Sequence, residues 1–440
     1  MPSPAFSSQL YARLFPTGEV GRLFTDSAEV RAMMLVEGAL AKVQGARGVI
    51  PEISGRAIHR ASLELQLDPG GMAEETGANG VPVPALVRLF REAMQAPEHA
   101  QYLHWGATSQ DIADTALMLR LRQVIGQYET ALDGILARLA VLADAHAELP
   151  MAARTYGQHA TPTSFGAVAA SWGWPLLSLR GETEALRAGL PVSLSGAAGT
   201  ADALGEEAPT LRADLAGALG LTDPGRSWHT DRTPILRVGA WIARVAAALA
   251  KIGEDLILGT QSGIGEMTLA AGGGSSTMPQ KQNPVAPSAV VALAAQAQGL
   301  NATLQAAGTH AQQRDGAAWF TEWLTLPQLC QSLAAALARS GDALDALAPG
   351  AEAMAGTLAQ SRGLMAAEAL SFALAERMSR PEAQAEVKAL AREIAAEGGH
   401  LRDAALARWP DLDPAIFDPS RAMGQAPAEA RAFAKAVRKH

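Results

Sequence analysis

Apolar residues recur at intervals of three and four along most of this chain, and that spacing predicts long amphipathic helices. The longest pattern runs from Asp111 to Glu148, where no proline interrupts the chain. Its apolar stripe consists of Leu117, Leu121, Val124, Tyr128, Leu132, Ile135, Leu139 and Leu142. A helix of about ten turns is roughly three times the usual globular length, which indicates a helical bundle.

The same spacing predicts three further long helices. Ile235–Leu258 follows Thr233, a suitable N-cap, and Pro234, a residue favoured in the first turn. Pro284–Gln305 and Trp319–Leu347 show the pattern again, and small residues make up most of the former. No stretch alternates apolar and polar positions, so we expect no sizeable sheet. The predicted fold class is all-α.

Interruptions of the helical pattern predict three domains. Residues 1–110 contain shorter helices separated by segments rich in glycine and proline. Residues 111–350 form the predicted bundle of long helices, and residues 351–440 form a helical domain rich in alanine, glutamate and arginine. The chain has no repeat of fixed period, which argues against a solenoid.

Charge and cysteine content narrow the class of protein. A formal net charge of −8 argues against a nucleic-acid surface, because phosphate binding requires clustered Lys and Arg. The single cysteine, Cys330, cannot form an internal disulfide, as is typical of a reducing cytoplasm. The sequence shows neither a signal-peptide pattern nor a run of ~18 apolar residues. We therefore expect a cytoplasmic protein that binds neither nucleic acid nor membrane.

Four polar segments interrupt the alanine-rich helices, each at a predicted helix end, where free backbone N–H groups bind anions. They are HWGATSQD (104–111), RTYGQHATP (154–162), SWHTDR (227–232) and GGGSSTMPQKQNP (272–284). The last lacks the glycine before Lys281 that a phosphate-binding loop needs, and it lacks the second glycine of a nucleophile elbow after Ser275. Residue types alone leave a flexible linker open as the alternative.

The stretch GSSTMPQKQNP resembles the signature loop of the fumarase/aspartase superfamily, written roughly G-S-S-x-M-P-x-K-x-N-P. HWGATSQD and RTYGQHATP extend this resemblance. It implies three helical domains in which five long central helices assemble into a homotetramer core, with active sites shared between subunits. It also implies a reversible elimination beside a carboxylate, through an aci-carboxylate dianion.

The resemblance assigns catalytic roles to three loop residues. Ser275 matches the serine that exchanges the carbon-bound proton, while Lys281 and Asn283 match the residues that hold the substrate carboxylate and stabilise the dianion. Because serine is a weak base at its ordinary pKa, this role requires N–H donors and positive charge nearby. Candidate substrate-binding residues are His104, Thr108, Ser109, Arg154, Tyr156, Gln158, His159 and Arg314, with Arg232 as a weaker candidate.

Two positions depart from the superfamily's lyases. Tyr156 and Ser288 stand where those lyases usually carry a paired histidine and glutamate. A basic leaving group needs a proton from such an acid, whereas a carboxylate leaves without one because its conjugate acid has a pKa near 4. In the reverse direction, a substrate's own carboxylate can close a lactone ring without that dyad.

The sequence most resembles the 3-carboxy-cis,cis-muconate cycloisomerase branch, through the tryptophan after His104, through His159, and through the WHT segment at 228–230. This resemblance implies a small tricarboxylate substrate, lactone formation in protocatechuate breakdown by the β-ketoadipate pathway, and no cofactor. Neither H-E-x-x-H nor a Cys/His cluster is present, so no metal is expected. The alternatives are a fumarate-releasing lyase of the adenylosuccinate lyase type and a catalytically silent helical scaffold.

Overall fold

Helices dominate the computed structural model, which describes residues 5–270, 273–274, 278 and 281–440. The N-terminal part contains short and medium helices separated by turns. They are α1 (Gly18–Arg22), α2 (Asp26–Ala46), α3 (Glu52–Glu64), α4 (Ala73–Asn79), α5 (Val83–Met94) and α6 (Pro97–Ala100). Thr25 caps α2, since its side chain accepts a hydrogen bond from the backbone N–H of Ala28.

The four long helices that the sequence predicts are confirmed, with ends within a few residues of those expected. They lie among the following elements: α7 (Ser109–Ala145), α8 (Phe165–Gly181), α9 (Thr183–Ala188), α10 (Ala208–Leu219), α11 (Thr233–Gly259), α12 (Val285–Ala306) and α13 (Gly316–Ala346). The spacing did not reveal α8, which is apolar on most of its faces and contains Pro175.

The C-terminal part is helical, as expected, and its segments are α14 (Ala351–Gln360), α15 (Ala367–Ala375), α16 (Arg380–Glu397), α17 (Leu401–Arg408) and α18 (Ala426–Val437). A capping box of Ser379 and Glu382 starts α16. Short 3-10 turns occur at Ala5–Ser7, Pro69–Met72, Asp202–Glu207, Leu364–Ala366 and Pro414–Phe417.

In the described part of the chain, the β-structure consists of pairs of short antiparallel strands and an isolated parallel bridge between Pro191 and Thr222. The strands are β1 (Pro150–Thr155), β2 (Gln158–Ser164), β3 (Met267–Leu269), β4 (Gly273–Gly274), β5 (Gln282–Asn283) and β6 (Leu347–Pro349), paired as β1–β2, β3–β6 and β4–β5. The expectation that residues 154–162 lie at a helix end is therefore wrong. They form a hairpin because Tyr156 and Gly157 both adopt positive φ, which reverses the chain in two residues.

The chain divides into two compact units. The first unit contains residues 1–131, 179–247 and 292–338, and the second contains residues 132–178, 248–291 and 339–440. In the first unit, α2, α5 and α10 contribute to one apolar core. In the second, α15, α16 and α17 enclose another. The units take parts of the same long helices, and the three-domain division by chain order stays a prediction.

Candidate active site

The segment 104–111 leads directly into α7, and a buried aspartate in the first turn of α7 anchors it. Asp111 accepts hydrogen bonds from the backbone N–H of Thr108 at 3.1 Å and from the Ser193 hydroxyl at 2.8 Å. Its oxygens also accept from the backbone N–H groups of residues 195 and 196, both at 2.9 Å. His229 Nε2 completes the shell at 2.9 Å. This carboxylate therefore fixes the loop that carries Thr108 and Ser109.

The charge of Asp111 is stabilised despite its burial. Burial raises the pKa of this carboxyl, but hydrogen bonds from His229, Ser193 and Thr108 outweigh that effect and leave the pKa below its usual value. Sequence reasoning missed Asp111 as an anchor, although the aspartate that closes HWGATSQD was the available signal. The same network explains the WHT segment, because His229 reaches α7 from residues 228–230.

Arg314 lies against the same loop. Its guanidinium donates to Gln110 Oε1 at 2.8 Å, to the Thr108 hydroxyl at 3.3 Å and to the Ala197 carbonyl at 3.1 Å. The structure thus brings together Arg314 and Thr108, two residues predicted to bind substrate. Since these protein groups occupy several of its N–H donors, Arg314 also positions the Thr108 hydroxyl.

His104 lines an open cavity at the start of this loop. The cavity has a volume of about 480 Å³, and its lining includes His104, Ser109, Arg88, Arg91 and Glu92. Three of these side chains are basic, so the cavity suits an anionic group. Two predicted substrate-binding residues, His104 and Ser109, therefore share one concave surface in the first unit.

Arg232, the weaker candidate, is fully buried and held by two carboxylates. Its guanidinium contacts Asp114 at 2.7 and 3.0 Å and Glu322 at 2.8 and 2.7 Å. The ring of Trp228 lies 4.8 Å from its central carbon. With its hydrogen-bond donors engaged and no solvent exposure, this side chain serves the fold of the first unit.

The β1–β2 hairpin carries the predicted residues of the second unit. Tyr156 occupies the turn, and Gln158 and His159 begin β2; all three side chains are exposed. Arg154 lies opposite His159 in the pairing of the strands. It forms a two-pronged ion pair with the buried Glu266, at 2.6 and 3.1 Å, so its charge is already balanced.

The signature loop is described in part. Ser275 lies outside the described residues, and its predicted role stays a prediction. Lys281 is exposed, and its backbone N–H donates to the Met278 carbonyl at 3.0 Å. Asn283 pairs with Gly273 across β4 and β5 and borders a cavity of about 650 Å³.

Ser288 lies in the first turn of α12, where the lyases carry the glutamate of their acid–base dyad. Its hydroxyl donates to the Pro284 carbonyl at 2.8 Å, a local hydrogen bond within the helix. A serine in this arrangement supplies neither a carboxylate nor a titrating group at neutral pH. The structure therefore adds no acid at this position.

The predicted site residues thus form two groups. His104, Thr108, Ser109 and Arg314 belong to the first unit, whereas Tyr156, Gln158, His159, Lys281 and Asn283 belong to the second. Within the described ranges, no group of three or more His, Cys, Asp or Glu side chains is arranged to hold a metal ion. Over the same ranges, no helix combines the length and the apolar character that a membrane crossing needs.

Comparison with known proteins identifies the family. A family model described as "Lyase" matches residues 67–299. A 3-carboxy-cis,cis-muconate cycloisomerase of Pseudomonas aeruginosa is 36% identical over 436 residues, covering 96% of this chain and 95% of the relative. The chain belongs to the fumarase/aspartase superfamily of lyases, as its signature loop indicated.

Two further matches bear on fold and chemistry. The solved structure of a 3-carboxy-cis,cis-muconate lactonizing enzyme from Pseudomonas putida has a TM-score of 0.91 and 31% identity, covering 98% of this chain and 99% of that one. A nitrosuccinate lyase of Streptomyces davaonensis is 34% identical, covering 92% of this chain and 89% of the relative. Similar sequences therefore carry different reaction names within this family.

Proposed function

We propose that this protein is a cytoplasmic, cofactor-free cycloisomerase that converts 3-carboxy-cis,cis-muconate to 4-carboxymuconolactone. The joint replacement of the lyases' acid–base pair by Tyr156 and Ser288 argues against loss of a basic group. The observation that then favours lactone formation is the 36% identity to a cycloisomerase of that name. Ring closure uses a carboxylate as nucleophile and needs no such acid, whereas loss of a basic group does.

In the forward reaction, a carboxylate oxygen of the substrate adds to the β-carbon of the conjugated double bond. The new C–O bond forms as the π electrons move onto the adjacent carboxylate, which gives an aci-carboxylate dianion. Lys281 and Asn283 stabilise that charge. The Ser275 hydroxyl then transfers its proton to the α-carbon, and solvent restores the proton to the serine.

The positive groups of the first unit support a substrate with several carboxylates. His104 and Arg91 line one cavity, and Thr108 and Ser109 lie at the start of α7 beside it. Gln158 and His159 would bind another part of the substrate from the exposed hairpin. We propose that a homotetramer combines these two groups of residues in shared active sites, since superfamily members use their long helices in this way.

A second candidate is elimination from a substituted succinate. The similarity to a nitrosuccinate lyase favours this reading, because nitrite is also a stable anion that leaves without a proton donor. The missing dyad therefore argues against loss of an amine and does not separate lactone formation from loss of nitrite. A silent scaffold is disfavoured because Ser275, Lys281 and Asn283 are all present.

Spectrophotometric assays separate these functions. We expect the protein to consume the conjugated triacid without releasing fumarate. Release of fumarate from nitrosuccinate or adenylosuccinate, with no turnover of the triacid, would replace the proposal with a lyase activity. Inactivity towards all three substrates would favour the scaffold.

The predicted role of Ser275 has its own test. Ser275→Ala should lower kcat by at least about a hundredfold, because proton transfer by a positioned group contributes 10²–10⁴-fold. Ser276→Ala, the same change one residue away, is the matched control and should retain most activity. Equal activity of the two variants would remove Ser275 from the mechanism.

A further inference from the structure

Behind His104 lies a glutamate to which neither motif nor resemblance assigns a role. Glu37, on α2, is only 1% exposed. Its Oε1 lies 2.6 Å from Nδ1 of His104, a short hydrogen bond between a carboxylate and an imidazole. Since Nδ1 is occupied, Nε2 is the ring nitrogen that remains for a ligand, and over the described chain it has no hydrogen-bond partner.

The second oxygen of Glu37 argues against a purely structural pair. Glu37 Oε2 is buried and finds no hydrogen-bond partner within the described residues. A carboxylate kept only for stability would normally have both oxygens satisfied, because an unpaired buried acceptor costs free energy. The position of Glu37 is instead explained by the ring that it holds.

The backbone around His104 is also fixed at a cost. His104 adopts a positive φ of 66°, which is uncommon for a residue other than glycine. The neighbouring Leu103 carbonyl accepts a hydrogen bond from the Arg91 guanidinium at 2.9 Å. Gly106 has a positive φ of 72°, and a Cβ there would lie 2.4 Å from a methyl carbon of Leu204, so another residue would be strained at this turn. Strained, over-determined backbone of this kind is typical of ligand sites.

The cavity that His104 lines contains two arginines, and only one of them is neutralised by carboxylates. Arg88 is paired with Glu75 and Glu92, at 2.6 and 3.1 Å. Arg91 forms no ion pair with any described residue and donates only to a backbone carbonyl. Arg91 is therefore the cation of the cavity that has no carboxylate partner among the described residues, whereas His104, paired with Glu37 through Nδ1, offers only its Nε2 side to an anion.

The protonation state of His104 fits this arrangement. Burial lowers the pKa of the imidazole, and the positive charge of Arg91 acts in the same direction. The Glu37 carboxylate, by its charge and its hydrogen bond, and the charge of Asp111 outweigh both, so the pKa is raised from 6.5. Arg88 and Glu92 are the remaining charged groups lining the cavity.

We propose that Glu37 is a positioning residue that holds His104 so that Nε2–H, together with the guanidinium of Arg91, forms a receptor for one carboxylate of the substrate. This inference rests on the proposed function for the substrate being a polycarboxylate. The receptor takes the carboxylate that a tricarboxylate carries in addition to those bound by Lys281, Asn283 and the start of α7. It would make this site select tricarboxylates over dicarboxylates.

Equilibrium binding of an unreactive tricarboxylate tests the receptor without requiring turnover. Calorimetry would compare propane-1,2,3-tricarboxylate with succinate on the full-length protein between pH 6 and 9. In the unchanged protein, we expect tricarboxylate binding to weaken as the pH rises through the raised pKa of His104. Glu37→Gln should weaken tricarboxylate binding about tenfold at neutral pH and move its pH midpoint downward, while succinate binding changes less than twofold.

The controls separate a receptor from a stabilising contact. Glu29→Gln makes the same chemical change on α2, away from the cavity, and should leave tricarboxylate affinity and its pH midpoint unchanged. Arg91→Gln should weaken tricarboxylate binding and raise the pH midpoint, because Arg91 lowers the pKa of His104. Binding by Glu37→Gln with unchanged affinity and midpoint would overturn the proposal.

A second variant keeps the test decisive if Glu37→Gln fails to fold. His104→Gln retains an N–H donor but cannot titrate, so tricarboxylate binding should lose its dependence on pH between 6 and 9. Persistence of that dependence would also overturn the proposal. Failure of the triacid to turn over would contradict the proposed reaction and would leave these binding results intact.

Discussion

At the scale of single residues, the first unit contains a buried cluster of charged side chains with Arg232 at its centre. Arg232 bridges Asp114 on α7 and Glu322 on α13, and all three side chains are almost wholly buried. Burial lowers the pKa of the guanidinium, but the two carboxylates outweigh that effect and raise it. Removing one partner from such a cluster leaves uncompensated charge in a medium that solvates it poorly.

Arg232→Gln should therefore lower the free energy of unfolding by about 3–5 kcal/mol. The exposed pair of Arg226 and Asp231 provides the control, since Arg226→Gln should cost less than about 1 kcal/mol. Urea unfolding followed by circular dichroism, at one protein concentration, compares the two variants. Similar losses for both would show that the buried cluster contributes little to stability.

The buried carboxylate of Asp111 should make the stability of the fold depend on pH. Its folded pKa lies below the ordinary value of 3.8, so its carboxylate stabilises the fold fully above about pH 4. That contribution is lost as the pH falls through the lower folded pKa. Asp111→Asn should reduce stability by about 2–4 kcal/mol at neutral pH, because several buried donors lose a charged acceptor.

The difference between Asp111→Asn and the unchanged protein should shrink as the pH falls from 5 towards 2. Urea midpoints measured across this range check the expectation. A difference that stays constant with pH would show that the Asp111 carboxyl does not titrate between the folded and unfolded states as described.

At the scale of elements, the turn of the β1–β2 hairpin contains a tyrosine in a backbone conformation that disfavours it. Tyr156 has a φ of 54° and its side chain is fully exposed at the turn. Asparagine tolerates this conformation better than tyrosine does, and Asn-Gly is the favoured pair for a two-residue turn. A tyrosine kept there against that preference is consistent with a binding role for its hydroxyl.

Tyr156→Asn should raise the free energy of unfolding by about 1 kcal/mol, because it relieves the backbone strain. Tyr156→Phe should leave stability unchanged, since it removes only an exposed hydroxyl. If that hydroxyl donates to a substrate carboxylate, both variants should raise the KM for the triacid. An unchanged KM in both would leave Tyr156 with no role beyond filling the turn.

The long helix α13 has large apolar side chains exposed on its surface. Phe320 and Leu324 are spaced by four on α13, so they share one face of that helix. Leu324 is 68% exposed, and Phe320 is 41% exposed beside the Trp323 ring. Exposed apolar groups at this spacing are typical of a helix that packs against another subunit.

At the scale of the whole molecule, the proposed tetramer predicts the effect of a charge on that face. Leu324→Glu should dissociate the assembly and abolish activity, because a charge would be buried against apolar partners. Sedimentation should give four times the 45.7 kDa chain mass for the unchanged protein and a smaller species for the variant. Leu63→Glu, at an exposed leucine on α3, is the control and should keep the full mass.

The proposed tetramer also determines which residues come together in each active site. Among the described residues, the predicted site residues are divided between the first unit and the second. Under the proposed tetramer, each active site draws residues from more than one subunit, so loss of assembly removes activity even where every unit stays folded. If the dissociated Leu324→Glu protein kept full activity, the proposal of shared sites would be wrong.

The sequence by itself determined the helical class, the four long helices and the family. Helical periodicity can be recognised without knowing the fold, because a helix that buries one face needs an apolar stripe along that face. The signature loop is equally local, since its serine, lysine and asparagine follow one another within a few residues. The start of α11 was predictable for the same reason, because Thr233 and Pro234 act within one turn.

The tertiary structure decided which polar residues meet. The hydrogen bond between Glu37 and His104 joins residues 67 positions apart in the sequence. Those from Arg232 to Asp114 and to Glu322 join residues 118 and 90 positions apart. No local pattern encodes such pairs, because side-chain partners are chosen by how the helices pack. The hairpin at 154–162 was missed for a related reason. Its two positive φ angles and its pairing, rather than any alternation of apolar residues, define it.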